Sequence, residues 1–177
     1  INKLYRQGAP ERYANAGSAY LGPKATLPGI LTGYFTNGYE GQEIICLYSR
    51  LLTRQQYPSN LAGAMNDIWD PCYKAVNIAN GAIKYFPGIE MDENNKAKYI
   101  AEAKFFRGFN YYYLVKTFGD VPLTEEPYET VEDFGRLYPE RTSASTVYAL
   151  IESDLKAAVE TLPAATFVAN GHRISKY

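Results

Sequence analysis

The strongest constraint on what this chain can fold into is a periodic run between Asp92 and Gly119. Ala97, Ile100, Ala101, Phe105, Gly108, Phe109, Tyr112, Val115 and Phe118 recur at three- and four-residue steps, which sets them along one stripe of an α-helix. Asp92 or Asn94 offers a side-chain oxygen to the unpaired N–H groups at its start, and Gly119 suits a left-handed cap at its end. Lys98 precedes Glu102 in the less favourable order for an exposed pair, so packing must hold this helix rather than surface charge.

Two further stretches share the period. Leu61, Met65, Ile68, Trp69, Cys72, Val76, Ala79 and Ile83 form one stripe, stopped by Pro87-Gly88. Pro71 is discordant there: either the helix proper starts late, with proline near its first turn, or a longer helix is kinked. The other stripe is Val147, Ile151, Leu155, Ala158 and Leu162, capped by Thr142 or Ser143, with Glu152 preceding Lys156 in the favourable order and Pro163 closing it. Between the second and third helices, Val121-Pro122-Leu123 opens a long surface connection through Pro127, Gly135 and Pro139 to Arg141. Residues 170–177 read as a cap followed by the opening of another helix, so a longer helical chain is expected. With no matching strand runs, the fold class is all-α, with antiparallel helix pairs joined by loops.

Residues 1–60 are different in kind. Glycines and prolines from Gly8 to Pro58 interrupt them, with no sustained helical period. The expected organisation is a loop-rich N-terminal segment over 1–60 and a helical scaffold over 61–177. A long loop segment is the natural place to look for function, because a compact domain seldom keeps one without use.

Composition narrows the function classes. A net charge of −1 provides no basic stripe for phosphates, so nucleic acid is not an expected partner. No run approaches the roughly 20 apolar residues that span a bilayer. No leader opens the chain at Ile1, so any export signal is expected to be already removed. Cys46 and Cys72 lack companions at metal-ligand spacing and are expected as buried thiols, so neither zinc nor a disulfide scaffold is implied. The 17 tyrosines against 8 phenylalanines suit surfaces that both stack and hydrogen-bond, and equally suit half-buried helices.

The stretch from Ala101 to Leu123, Ala-Glu-Ala-Lys-Phe-Phe-Arg-Gly-Phe-Asn-Tyr-Tyr-Tyr-Leu-Val-Lys-Thr-Phe-Gly-Asp-Val-Pro-Leu, resembles the "EAKFLRAFYYFxLVxxFGDVPL" signature of SusD/RagB-type outer-membrane nutrient-binding lipoproteins. Trp69, Tyr73, Asn77 and Asn80 resemble a "W-x3-Y-x3-N-x2-N" helix before it. Arg141, Val147-Tyr148, Asp154-Leu155, Leu162-Pro163 and a Gly171–Lys176 stretch like "GRxTK" follow it, and Gly41-Gln42-Glu43 fits one branch of the family. The resemblance implies tetratricopeptide-like helix pairs in a SusD-like α-α superhelix, of which this chain is the N-terminal part. It implies capture of glycans, or of peptides in RagB-like members, for a SusC-like TonB-dependent transporter at the cell surface. Membrane contact would come only through a lipid anchor that this chain does not carry. It implies no cofactor. Stacked neighbours complete the core of such repeats, so either helices from another polypeptide segment are expected beside these or the piece is expected to be less stable than its parent.

Catalysis has little to rest on. The single histidine, His172, lies in the last cap with no nucleophile pattern around it, and Glu40 with Glu43, or Asp67 with Asp70, read as solvated carboxylates rather than an acid pair. Trp69, Tyr73, Phe105, Phe109 and Tyr112 are expected in the core. Arg107, Gly119, Asp120 and Pro122 belong to the family signature, with Arg107 and Asp120 expected to hold helix ends and loops. The candidate ligand residues are loop aromatics and their neighbours: Tyr34, Tyr39, Arg54 and Tyr57 first, with Phe35, Asn37, Glu40 and Arg50 nearby. A helical-repeat scaffold binding only protein is the rival from another class.

Overall fold

The structure, a computed structural model, describes residues 1–7, 62–136 and 139–177. Contacts divide the chain into two compact units, Ile1–Gly8 with Cys72–Tyr177, and Ala9–Pro71. Among the described residues the elements are α1 (Asn2–Gln7), α2 (Ala62–Tyr85), a 3-10 turn (Phe86–Gly88), α3 (Glu93–Phe118), β1 (Val121–Pro122), a 3-10 turn (Val131–Arg136), β2 (Arg141–Thr142) and α4 (Ala144–Thr161). The fold is all-α.

Local chemistry sets the helix ends. Asp92 caps α3 by accepting from the Asn95 N–H at 2.9 Å, and Ser143 caps α4 by accepting from the Thr146 N–H. Gly119 ends α3 with φ 70° and ψ −128°. The positive φ agrees with the expectation, but this ψ lies outside the left-handed helical region, in a conformation that essentially only glycine adopts. α2 runs through Pro71, which excludes a late start, and the boundary between the two units falls beside this proline.

α3 lies between its two neighbours. Tyr73 meets Tyr111 edge-on at 6.3 Å, while Asn80 meets Arg107 and Ala79 packs with Ala103 and Phe106. Residue numbers fall on one helix as they rise on the other, so α2 and α3 are antiparallel. The same holds for α3 and α4: Ala101 packs with Ala158 and Leu162, and Arg107 meets Asp154. A Cβ on Gly108 would sit 3.5 Å from the Ile151 carbonyl oxygen and the Leu155 side chain, ordinary contact distance, so α3 and α4 pass within van der Waals reach of each other here.

The stripe expected on α3 is displaced. Ala101, Gly108 and Val115 are buried, but Ala97 and Tyr112 are exposed and Phe105, Phe109 and Phe118 only partly covered. The buried set also holds Ala103, Phe106, Tyr111 and Leu114, with three polar residues, Glu102, Arg107 and Asn110. A helix packed on two sides has two inward faces, and an apolar period cannot mark the polar positions. Of the aromatics expected in the core, Trp69, Tyr73, Phe105 and Phe109 are half-buried and Tyr112 is 41% exposed.

The 120–142 connection is not a loose surface loop. Val121 and Pro122 pair antiparallel with Thr142 and Arg141, Val121 is fully buried and Pro127 lies against Gly81. This two-stranded ladder qualifies the reading of no strands. Nor does a helix begin at residues 172–177. Gly171 and His172 take positive φ, and the chain then runs irregularly, held by the Lys176 N–H donating to the Pro163 carbonyl.

Candidate functional site

The side chains chosen for ligand contact, Tyr34, Tyr39, Arg54 and Tyr57, with Phe35, Asn37, Glu40 and Arg50, lie outside the described residues. The described residues form a helical frame. Three polar assemblies order it.

The first is a rail on α2. Tyr73, Asn77 and Asn80 stand one helical turn apart and bind the backbone of the 120–130 segment, the strap. The Tyr73 hydroxyl donates to the Pro122 carbonyl at 2.7 Å. Asn77 accepts from the Tyr128 N–H at 2.7 Å and donates to the Tyr128 carbonyl at 3.2 Å. Asn80 donates to the Thr124 carbonyl at 2.9 Å. From α3, the Tyr111 hydroxyl accepts from the Thr124 N–H at 2.7 Å and donates to the carbonyl of the same residue. Burial pushes the Tyr73 and Tyr111 hydroxyls above the usual tyrosine range, so both stay neutral donors. The spaced Tyr-Asn-Asn signature thus supplies the hydrogen bonds that a second strand would otherwise give.

The second assembly is the Arg107 fork, which joins helix to helix rather than helix to loop as expected. Nε and Nη2 donate to the two Asp154 carboxylate oxygens at 2.7 and 2.9 Å, and Nη1 donates to Asn80 Oδ1 at 3.0 Å. Arg107 and Asp154 are 5% and 2% exposed. Burial works against the guanidinium charge, but the Asp154 hydrogen bonds and charge outweigh it. Asp120 does act at a helix end: its carboxylate accepts from the Ala144 N–H at 2.8 Å, and its carbonyl from Arg141 at 3.0 Å.

The third was missed by the sequence reading. Glu102, which looked like half of a weak surface pair with Lys98, is fully buried and accepts both arms of the Arg173 fork, one from Nε at 2.8 Å. The Arg173 guanidinium lies 4.8 Å from the centre of the Tyr5 ring and 5.4 Å from that of Tyr99, and the Ile174 N–H donates to the Tyr5 hydroxyl at 3.0 Å. Lys98 turns instead to Asn170 at 2.9 Å. The advance signal was a charge inside the signature whose nearby partner, Lys98, stands in the less favourable order.

Among the described residues no buried side-chain nitrogen or oxygen lacks a hydrogen-bond partner, no group of three or more His, Cys, Asp and Glu could hold a metal ion, and no helix is long and apolar enough to cross a membrane. Asp70 is exposed, and the His172 ring packs edge-on against Phe167 at 5.3 Å.

The family described as "Starch-binding associating with outer membrane", SusD-like, matches residues 32–176. The chain belongs to this family. It is similar to SusD-like protein P2 of Formosa agariphila, 33% identical over 59% of this chain and 20% of that protein. Among solved structures it is similar to a laminarin-binding SusD-like protein, 32% identical with a TM-score of 0.57 over 63% of this chain and 23% of that one. Surface glycan-binding protein A from Bacteroides fluxus, 20% identical, shares the fold over 99% of this chain and 35% of its own length, with a TM-score of 0.73. The chain spans about one fifth of the length of its curated relative.

Proposed function

We propose that this chain is part of a cell-surface glycan-capture protein that delivers oligosaccharides or polysaccharides to a TonB-dependent SusC-like transporter in the outer membrane and performs no chemistry on them. The observation that carries this reading is the family match over residues 32–176. The polar assemblies support it, since their side chains are spent on holding helices and strap, which suits a rigid frame better than a reacting centre. In this reading residues 61–177 are the tetratricopeptide-like scaffold and residues 1–60 carry the ligand contacts, with Tyr34, Tyr39, Arg54 and Tyr57 stacking on sugar rings or bonding their hydroxyls. A lipid anchor holds the protein at the cell surface.

Stacking with a few exposed hydrogen bonds gives modest affinity, on the order of millimolar to micromolar, or about −4 to −8 kcal/mol. Fast release suits a handover. The test is a calorimetric titration with soluble starch, laminarin fragments and a peptide panel, followed by chromatography of the recovered glycans. Saturable binding of a glycan returned at its original length supports the proposal. Binding of peptides alone converts it to a RagB-like peptide receptor, binding of neither to a protein-interaction scaffold, and shortened glycans to a hydrolase.

A further inference from the structure

The structure ties the two ends of this chain together. α1 (Asn2–Gln7) is a single short helix, and a helix of this length has no stability of its own. Its position comes from what it touches. Leu4 is fully buried beside Ala79, Ala103 and Phe106, and the Tyr5 ring meets Phe106 edge-on at 4.9 Å. Polar contacts come from the 173–174 stretch: Arg173 covers the Tyr5 ring and donates to Asn2 Oδ1 at 3.4 Å, and the Ile174 N–H donates to the Tyr5 hydroxyl. Arg173 is itself fixed by the fully buried Glu102 of α3. Asn170 reinforces the turn before it by donating to the Arg173 and Ile174 carbonyls at 3.2 and 2.8 Å.

We infer that Arg173 is a positioning residue for ligand capture, acting through Tyr5: it clasps α1 to α3 and so fixes where the chain runs on from Gln7 toward Tyr34, Tyr39, Arg54 and Tyr57, the side chains proposed to contact ligand. The functional half of this inference rests on the glycan reading above. The chemistry favours arginine specifically. A planar fork satisfies both Glu102 oxygens while its face lies against two tyrosine rings, and lysine reproduces neither the fork nor the stacked plane. In the clasp the Gly171–Lys176 stretch supplies the arginine and α3 its carboxylate.

The test compares the full chain with Arg173→Ala, Arg173→Lys and Tyr5→Phe. Hydrogen exchange followed by mass spectrometry reads residues 1–7 separately from α3 and α4, and calorimetry reads affinity for soluble starch and laminarin fragments. For Arg173→Ala we expect exchange over 1–7 to quicken at least tenfold while α3 and α4 keep their protection, with affinity for whichever probe the parent binds reduced about tenfold. Arg173→Lys should recover less than half of either effect. Tyr5→Phe keeps the ring and the Arg173–Glu102 pair but removes the hydroxyl that receives Ile174, and should quicken exchange over 1–7 about threefold. It serves where Arg173→Ala fails to fold. Unchanged exchange over 1–7, or equal loss over α3 and α4, overturns the clasp. Loosened 1–7 with undiminished affinity overturns the positioning role, and a parent that binds neither probe defeats the glycan reading while the exchange data still decide the clasp.

Discussion

Replacing Asp154 by alanine should be among the most damaging single changes in the described frame. It leaves the Arg107 guanidinium almost fully buried with Asn80 Oδ1 as its remaining acceptor from the fork. Removing one partner of a buried ion pair costs about 3–5 kcal/mol, because the surviving charge is stranded in a poorly polarisable interior. At roughly 2–4 °C of midpoint per kcal/mol for a chain of this size, the thermal transition should fall by about 6–20 °C. The informative companion is Arg107→Met with Asp154→Leu, which takes away both charges and fills the space between α3 and α4 with apolar atoms. It still removes one donor from Asn80, worth about 1 kcal/mol, but strands no charge, so it should recover at least half of the single-variant loss. Urea denaturation followed by circular dichroism measures all three proteins. A loss below about 1 kcal/mol for Asp154→Ala, or a double variant no more stable than the single one, would refute the account of a dry, charge-paired helix interface.

Other expectations follow from neighbouring geometry. Asn77→Ala removes both hydrogen bonds to Tyr128 and should cost about 1–3 kcal/mol, with faster amide exchange over residues 124–130 as its local signature. Gly108→Ala places a methyl group at ordinary contact distance from Ile151, Leu155 and Asp154, so the helix-propensity gain of up to about 1 kcal/mol should survive, and denaturation showing a loss instead would mean the crossing is tighter than described. The Asp133 carboxylate is held well below the usual range by the Glu129 N–H, by Arg136 and by the Thr130 N–H. Because its folded value is depressed, its contribution is fully present above about pH 4, the unfolded value, and is lost as pH falls through the folded one. Exchange of the Glu129 and Thr130 amides, measured from pH 5 down to pH 2, should therefore speed up beyond its intrinsic pH dependence, and Asp133→Asn should erase that excess.

Much of the frame could be read in the sequence because helices announce themselves locally. Asp92, Ser143, Gly119 and Pro163 act within a turn of their own position, and the stripes of α2 and α4 put Ile68, Cys72, Val76, Val147 and Ile151 inside as expected. What escaped was set by partners far along the chain. Glu102 meets a residue 71 positions away and Arg107 one 47 positions away, so nothing near them marks them as buried. The strap was taken for an exposed connection because its hydrogen bonds go to side chains of α2 and α3, and no period in residues 120–142 records that. α3 was read one step out of register because a helix covered on two sides has no single apolar stripe, and its polar members are buried through pairing. The candidate ligand residues were chosen by composition and loop position alone, and that signal carries no geometry.

The strap's course is fixed in large part through its main chain. Tyr73, Asn77, Asn80 and Tyr111 grip carbonyls and N–H groups at Pro122, Thr124 and Tyr128, and none of those bonds uses the side chain of Glu125, Glu126 or Glu129, although the last two also meet Lys84 and Tyr85 of α2. Path and surface are therefore separable inheritances. Descendants of such a protein can rewrite the strap's outward lettering while its course stays put, so this segment offers new contacts to selection at little risk to the helices beneath it.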